Sequence, residues 1–147
     1  MPNIHLNFVA ILIALIANFV LGFLWYTPLF GKIWAKEMGF DTNTKPPAGA
    51  FVKGIVFNLI GNFLLAWVFA HNIAVWNPAT WGLEPMPDMT ANGMAMAAAI
   101  FTWLGFFVPV DLNTVGWEMK SWKLFFINTG YHLLSLIVVA MILTHMM

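Results

Sequence analysis

The sequence predicts an all-α integral membrane protein, a four-transmembrane-helix bundle formed by a single domain over residues 1–147. Hydrophobic residues make up 61% of the chain and charged residues only 8%, whereas ordinary soluble proteins carry about 25% charged residues. Four apolar stretches reach the roughly 20 residues that a helix needs to cross a bilayer. None of them alternates with the two-residue period of a strand. We expect the spans at about residues 4–26, 48–71, 90–108 and 122–145.

The first span is expected to run from Ile4 to Tyr26, with lysines after it and none before it. That order is unlike a cleaved signal peptide, whose basic residues come first. Thr27 then suits a helix N-cap and Pro28 the first helical position. Apolar residues recur at helical spacing over the next ten positions, and the lysines fall mostly on another face: Phe30, Ile33, Trp34 and Met38 against Lys32 and Lys36. This pattern predicts a short amphipathic helix at about residues 28–38, lying in the membrane interface.

Prolines bound the second and third spans. The second span follows Pro46-Pro47, and Pro109 is expected to stop the third, which would leave Asp111 and Glu118 in a solvated connection with Lys120. All six lysines flank the first and third connections: Lys32, Lys36, Lys45, Lys53, Lys120 and Lys123. Because lysines near helix ends stay on the cytoplasmic side, both termini are predicted to lie outside a bacterial inner membrane.

The two helical hairpins show a similarity to each other. Aligning Lys53 with Lys123 places Asn58 on Asn128 and Asn62 on His132. Two-helix units keep their orientation, so the repeat would be parallel, with its axis along the membrane normal. Chance similarity among apolar helices is the alternative.

Polar side chains inside the predicted spans are the candidate site. Asn58 and Asn62 share one face of the second span; Asn128, Tyr131, His132 and Ser135 lie along the fourth. These groups need hydrogen-bond partners in the membrane, so they are either interhelical contacts or a small polar pocket. No acid is expected inside a span, and this argues against a proton- or sodium-coupled transporter.

Other kinds of chemistry find little support. The chain has no cysteine and no arginine, and its formal net charge is zero, so nothing favours a nucleic-acid partner. Three histidines near the outer side are weak metal-ligand candidates with no recognisable spacing: His5, His71 and His145. No catalytic or cofactor-binding motif occurs, and we predict a non-enzymatic protein without a cofactor.

Several motifs resemble a known family. They are Gly22-Phe23-Leu24-Trp25-Tyr26-Thr27-Pro28, Phe30-Gly31-Lys32 with Trp34, Trp117-Glu118, and Phe126-Ile127-Asn128-Thr129-Gly130-Tyr131-His132-Leu133. With these motifs the chain resembles the bacterial and fungal integral membrane family catalogued as domain of unknown function 1761. The resemblance implies a small integral membrane protein and no particular activity. Any working site of the family would fall on the matching positions, which are Trp25, Tyr26, Pro28, Lys32, Asn128, Tyr131 and His132.

Three functional hypotheses follow from these patterns. The leading one is a structural or accessory membrane subunit that forms homo-oligomers or joins other membrane proteins within the lipid bilayer. The alternative is a small carrier or channel that uses the intramembrane Asn and His residues. An outer-face metal binder or a membrane enzyme ranks third.

Overall fold

The structure, a computed structural model, describes residues 4–147 and is all-α over that range. Four helical segments are long and apolar enough to cross a membrane: Phe8–Leu29, Ala48–Trp76, Ala91–Gly116 and Trp122–His145. The predicted fold class is therefore confirmed, with four helices able to span and no strand among the described residues.

The first span begins and ends later than expected. Helix α1 covers Phe8–Leu24, because Asn7 caps it by accepting hydrogen bonds from the backbone N–H groups of Val9 and Ala10. A π-helical turn, Trp25–Leu29, then continues the helix past the predicted end at Tyr26. Its wider winding holds Pro28 inside the span.

The amphipathic helix α2 covers Gly31–Met38 and so begins three residues after the predicted Pro28. Thr27 is not its N-cap, since Phe30 occupies that position. At Gly31 a Cβ atom would lie 2.6 Å from the carbonyl oxygen of Tyr26, so the corner between span and helix has room only for glycine. Gly39 ends α2 in the left-handed conformation, with φ of 77°.

The second span is α3, Ala48–Trp76, which extends five residues beyond the expected end at His71. A short 3-10 turn, Pro78–Trp81, follows it. The fourth span is α6, Trp122–His145, with Ser121 as its N-cap.

The third span corrects a prediction. Helix α4, Ala91–Thr102, passes into a second π-helical turn, Trp103–Phe107, and then into α5, Val108–Gly116. Pro109 falls in the first turn of α5, where its missing N–H is tolerated, so it does not stop the span at Val108.

Helix α6 lies at the centre of the bundle and packs against α1, α4 and α5, while α3 packs mainly on α1. Fully buried alanines on α1 and α4 let these helices approach α6 closely: Ala10, Ala14, Ala95 and Ala99. They surround larger core side chains such as Ile11, Leu136 and Leu143. Helices α3 and α4 barely touch, and an apolar groove of about 610 Å³ separates them.

Candidate functional site

A carboxylate and an imidazole meet inside the helical bundle. Nδ1 of His132 on α6 lies 2.7 Å from Oδ2 of Asp111 on α5. Asp111 is only 5% exposed, and 28% of the His132 side chain remains accessible from the surface of the bundle. The Phe107 ring covers the imidazole, with 4.8 Å between ring centroids. Both residues belong to segments long and apolar enough to cross a membrane, where an ionisable pair is a candidate functional site.

Asp111 was expected in a solvated connection, and the structure overturns that expectation. The second π-helical turn carries the helix past Pro109, so Asp111 points from α5 into the protein. Glu118, by contrast, is exposed beyond the end of α5. One feature of the sequence could have indicated that the helix continues through Asp111. The residues on either side of it, Val110 and Leu112, are apolar.

Two tyrosines extend the site across α6. The Tyr26 hydroxyl donates to Oδ1 of Asn128 at 3.0 Å. The Tyr26 ring stands edge-on to Tyr131, with 5.1 Å between centroids, and the Tyr131 ring lies 5.8 Å from that of His132. Asn128, Tyr26, Tyr131, His132 and Asp111 therefore form one continuous polar and aromatic layer, which we call the tyrosine–histidine layer.

Two tryptophans fix the position of α6 beside this layer. Trp25 and Trp103 each open one of the two π-helical turns. The Trp25 indole N–H donates to the carbonyl oxygen of Ile127 at 3.0 Å, and that of Trp103 to the carbonyl oxygen of Thr129 at 2.9 Å. Both carbonyls belong to α6, so α6 is held through its backbone from two neighbouring helices at nearly the same level.

A second polar cluster joins α1 to α3. Nδ2 of Asn18 donates to Oδ1 of Asn62 at 2.6 Å, and Nδ2 of Asn62 donates to Oδ1 of Asn58 at 2.7 Å. Asn18 and Asn62 are buried, whereas Asn58 is exposed on the surface of the bundle. We call this chain of three carboxamides the asparagine ladder.

The predicted site residues thus divide between two places. The structure brings Asn128, Tyr131 and His132 together with Trp25 and Tyr26. Trp34 packs edge-on against Tyr26, with 5.5 Å between ring centroids, and Ser135 is buried one turn beyond Tyr131. Asn58 and Asn62 instead belong to the asparagine ladder. Pro28 and Lys32 are exposed and touch neither cluster through a hydrogen bond.

The hairpin repeat stays a prediction. Asn62 and His132, which the alignment pairs, each contact the first helix of their own hairpin, through Asn18 and Asp111 respectively. The paired residues Asn58 and Asn128 have unrelated partners.

The three histidines named as weak metal-ligand candidates do not come together. Nδ1 of His71 lies 2.9 Å from the carbonyl oxygen of Trp67 and Nδ1 of His145 lies 2.8 Å from that of Met141, each within its own helix. His5 is exposed and lines a small cavity beside Met147. Within residues 4–147 no three His, Asp or Glu side chains come close enough to hold a metal ion together.

A family model described as "Protein of unknown function (DUF1761)" matches residues 9–144. The chain belongs to this family. The DUF1761 match covers nearly the whole chain, including both clusters and both π-helical turns, and it confirms the resemblance carried by the motifs around Trp25 and His132. No curated protein and no solved structure matches the chain.

Proposed function

We propose that this protein is a small membrane channel or carrier that moves protons through Asp111 and His132. The observation that carries the proposal is the buried carboxylate 2.7 Å from an imidazole, on two segments each long and apolar enough to span a membrane. Ionisable residues are rarely kept at such depth without a functional reason. The sequence argued against proton coupling because no acid was expected within a span. The position of Asp111 within the third span removes that objection.

The pair supplies the chemistry that proton movement needs. When Asp111 is ionised it can only accept, so Nδ1 of His132 carries the shared proton and Nε2 is left to take up and release another. The paired carboxylate offsets the positive charge that the imidazole then gains. His132 lies roughly 15 Å beyond the first residue of α6 and Asp111 roughly 7.5 Å before the last residue of α5, so the exchange takes place inside the span, on its lysine-bearing side.

Orientation and location complete the proposal. We propose a bacterial inner membrane as the location, and the lysine distribution supports an orientation with both termini outside. Helix α5 ends and α6 begins on the lysine-bearing side, so the pair would be reached from the cytoplasm through the exposed part of His132. The rest of the tyrosine–histidine layer leads from His132 toward the same side, because Tyr26 and Asn128 lie nearer the lysine-bearing ends of their spans than His132 does.

A non-enzymatic function is part of this proposal. A hydrolytic triad would need a hydroxyl on the remaining nitrogen of the imidazole. Ser135, the nearest serine on α6, is buried and forms no hydrogen bond to His132 among the described contacts. The site therefore supports proton exchange better than nucleophilic catalysis.

Proton flux into liposomes tests the proposal directly. Purified protein would be reconstituted with an internal pH-sensitive dye, and a potassium diffusion potential would drive proton entry. We expect wild-type flux well above that of empty liposomes, and at least a tenfold loss in Asp111→Asn and in His132→Asn. Wild-type flux equal to that of empty liposomes would refute the proposal.

Two matched variants control for nonspecific effects. Glu118→Gln removes an exposed acid close in sequence to Asp111, and His145→Asn removes an exposed histidine of α6. Both should retain wild-type flux. Equal losses in a control and in its site variant would contradict a specific role for the pair.

A structural or accessory role is the second candidate. It is favoured by the apolar groove between α3 and α4, which is lined by large side chains including Phe69, Trp76, Phe101 and Phe106. A helix from another membrane protein would fit such a surface. Gentle extraction followed by mass spectrometry distinguishes the two candidates, because an accessory subunit should bring down one partner in fixed ratio.

A further inference from the structure

The lysine-side half of α3 has almost no contact with its own chain. All but one of residues 48–61 are exposed, and they include large apolar side chains such as Phe51, Val52 and Phe57. We call residues 48–61 the free half of α3. Lipid could cover its apolar side chains, but the same surface also carries Asn58.

The depth of Asn58 follows from the asparagine ladder. Asn18 is ten positions after Phe8 and eleven before Leu29, at the centre of the first span. Asn62 is hydrogen-bonded to Asn18, so it lies at the same level. Asn58 is one turn away, roughly 6 Å from the middle of the bilayer. The hydrocarbon region extends about 15 Å to either side of the middle, so the nearest lipid carbonyls are roughly 9 Å farther out, beyond the reach of a short carboxamide.

Asn58 has a polar atom with no partner at that depth. Its Oδ1 accepts from Asn62, and no described residue accepts a hydrogen bond from its Nδ2. If all three carboxamides of the ladder are turned over, Oδ1 of Asn58 is left unpaired instead, so Asn58 has one unsatisfied atom either way. Oδ1 of Asn18, at the other end of the ladder, is also unpaired, but it is buried inside the bundle. An unpaired amide in hydrocarbon costs several kcal/mol, because no water is present to satisfy it. Because Asn58 is exposed, a group from outside the chain can supply the missing hydrogen-bond partner at this level.

We propose that a second copy of this chain docks against the free half of α3, with Asn58 of each copy hydrogen-bonded to the other. A carboxamide is self-complementary: its Nδ2 can donate to the facing Oδ1, which has a second lone pair available. Two copies with the same orientation, related by a two-fold axis along the membrane normal, bring their Asn58 residues to the same depth.

The backbone around Asn58 permits this approach. Gly54 and Gly61 lie one turn to either side on the same face of α3, and no atom comes within 4 Å of the position that a Cβ would occupy on either. Two α3 helices can therefore come close enough for short carboxamides to meet. The glycines allow the two helices to approach closely, and the unpaired polar atom of Asn58 determines where along α3 they make contact.

Cysteine cross-linking in native membranes tests the proposal cleanly, because the chain has no cysteine of its own. A disulfide needs Cα atoms about 4.4–6.8 Å apart, a separation that only the facing positions would reach. We expect Gly54→Cys to form a species of twice the monomer mass on oxidation. Val52→Cys is the matched control, since it is also exposed and lies on another face of α3, slightly nearer the water.

Further variants separate Asn58 from general association. Adding Asn58→Leu to Gly54→Cys should abolish the cross-link, and Asn58→Gln should largely retain it. Equal cross-linking at Val52→Cys, no cross-link at Gly54→Cys, or a cross-link to a protein of another mass would each overturn docking of a second copy. The mass of the wild-type particle in lipid nanodiscs gives an independent answer, and a monomer would likewise overturn the proposal.

Discussion

The hydroxyl of Tyr131 rests directly on Gly22. A Cβ atom at Gly22 would lie 3.0 Å from the Tyr131 oxygen, so the glycine leaves the space that the tyrosine fills. This contact ties α1 to α6 beside His132. Gly105 of the third span has no such role, since nothing lies within 4 Å of a Cβ at that position.

Enlarging Gly22 should therefore destabilise the protein. We expect Gly22→Ala to lower the melting temperature in detergent slightly, and Gly22→Val to cost about 1–3 kcal/mol, because the added carbons displace Tyr131. Thermal unfolding of the purified protein measures both. Gly105→Ala is the matched control and should leave the melting temperature unchanged or raise it.

Replacing one member of the Asp111–His132 pair should be worse for stability than replacing both. His132→Leu leaves a buried carboxylate without its partner, which costs about 3–5 kcal/mol for a fully buried pair and less here because His132 is partly exposed. Asp111→Leu with His132→Leu removes both polar groups, so we expect it to regain much of that loss. Reversible unfolding in mixed micelles measures the free energy of unfolding of the wild type, of His132→Leu and of the double variant.

The double variant also separates stability from function. If the pair moves protons, the restored double variant should fold but conduct none. Flux that returned together with stability would show that the pair only supports the fold.

Removing either indole hydrogen bond to α6 should loosen the centre of the bundle. Trp103→Phe keeps the aromatic ring and deletes the N–H that donates to Thr129, and Trp25→Phe does the same for Ile127. Hydrogen bonds between membrane helices average about 0.6 kcal/mol, so each change should produce a small, measurable loss of stability. Trp117→Phe, at an 86% exposed residue, should have no comparable effect.

Asn7 should protect both ends of the chain from fraying. Its Oδ1 caps α1, and its Nδ2 donates to the carbonyl oxygen of Met146 at 2.8 Å. Losing the cap alone costs about 1 kcal/mol. Asn7→Ala should therefore speed amide hydrogen exchange in the first turn of α1 and the last turn of α6. Asn77→Ala, which removes a cap from the 3-10 turn only, should leave both segments unaffected.

Local patterns in the sequence predicted the four long helices and the amphipathic helix, because apolar length and helical spacing are properties of neighbouring residues. They failed at Pro109. A proline ends a regular α-helix, but the π-helical turn before it moves the proline into a position that begins the next helical segment. Since Asp111 follows Pro109, the same failure concealed the acidic half of the candidate site.

The polar residues show the other limit of local patterns. Their position in apolar segments long enough to cross a membrane predicted hydrogen-bond partners for Asn62 and His132, and both have them. The identities of those partners were not predictable, because Asn18 is 44 positions from Asn62 and Asp111 is 21 positions from His132. Such contacts depend on the order in which the helices pack around α6.

The hydrogen bond from Asn7 to Met146 brings the beginning and the end of the described chain together on one side of the bundle. A short flexible linker could therefore join the end of one copy to the start of another without crossing the bilayer. The resulting fusion protein would contain two copies in a one-to-one ratio, and each copy could carry a different substitution. A wild-type half could then be paired with a half carrying Asp111→Asn, and the remaining flux would report whether each copy conducts on its own.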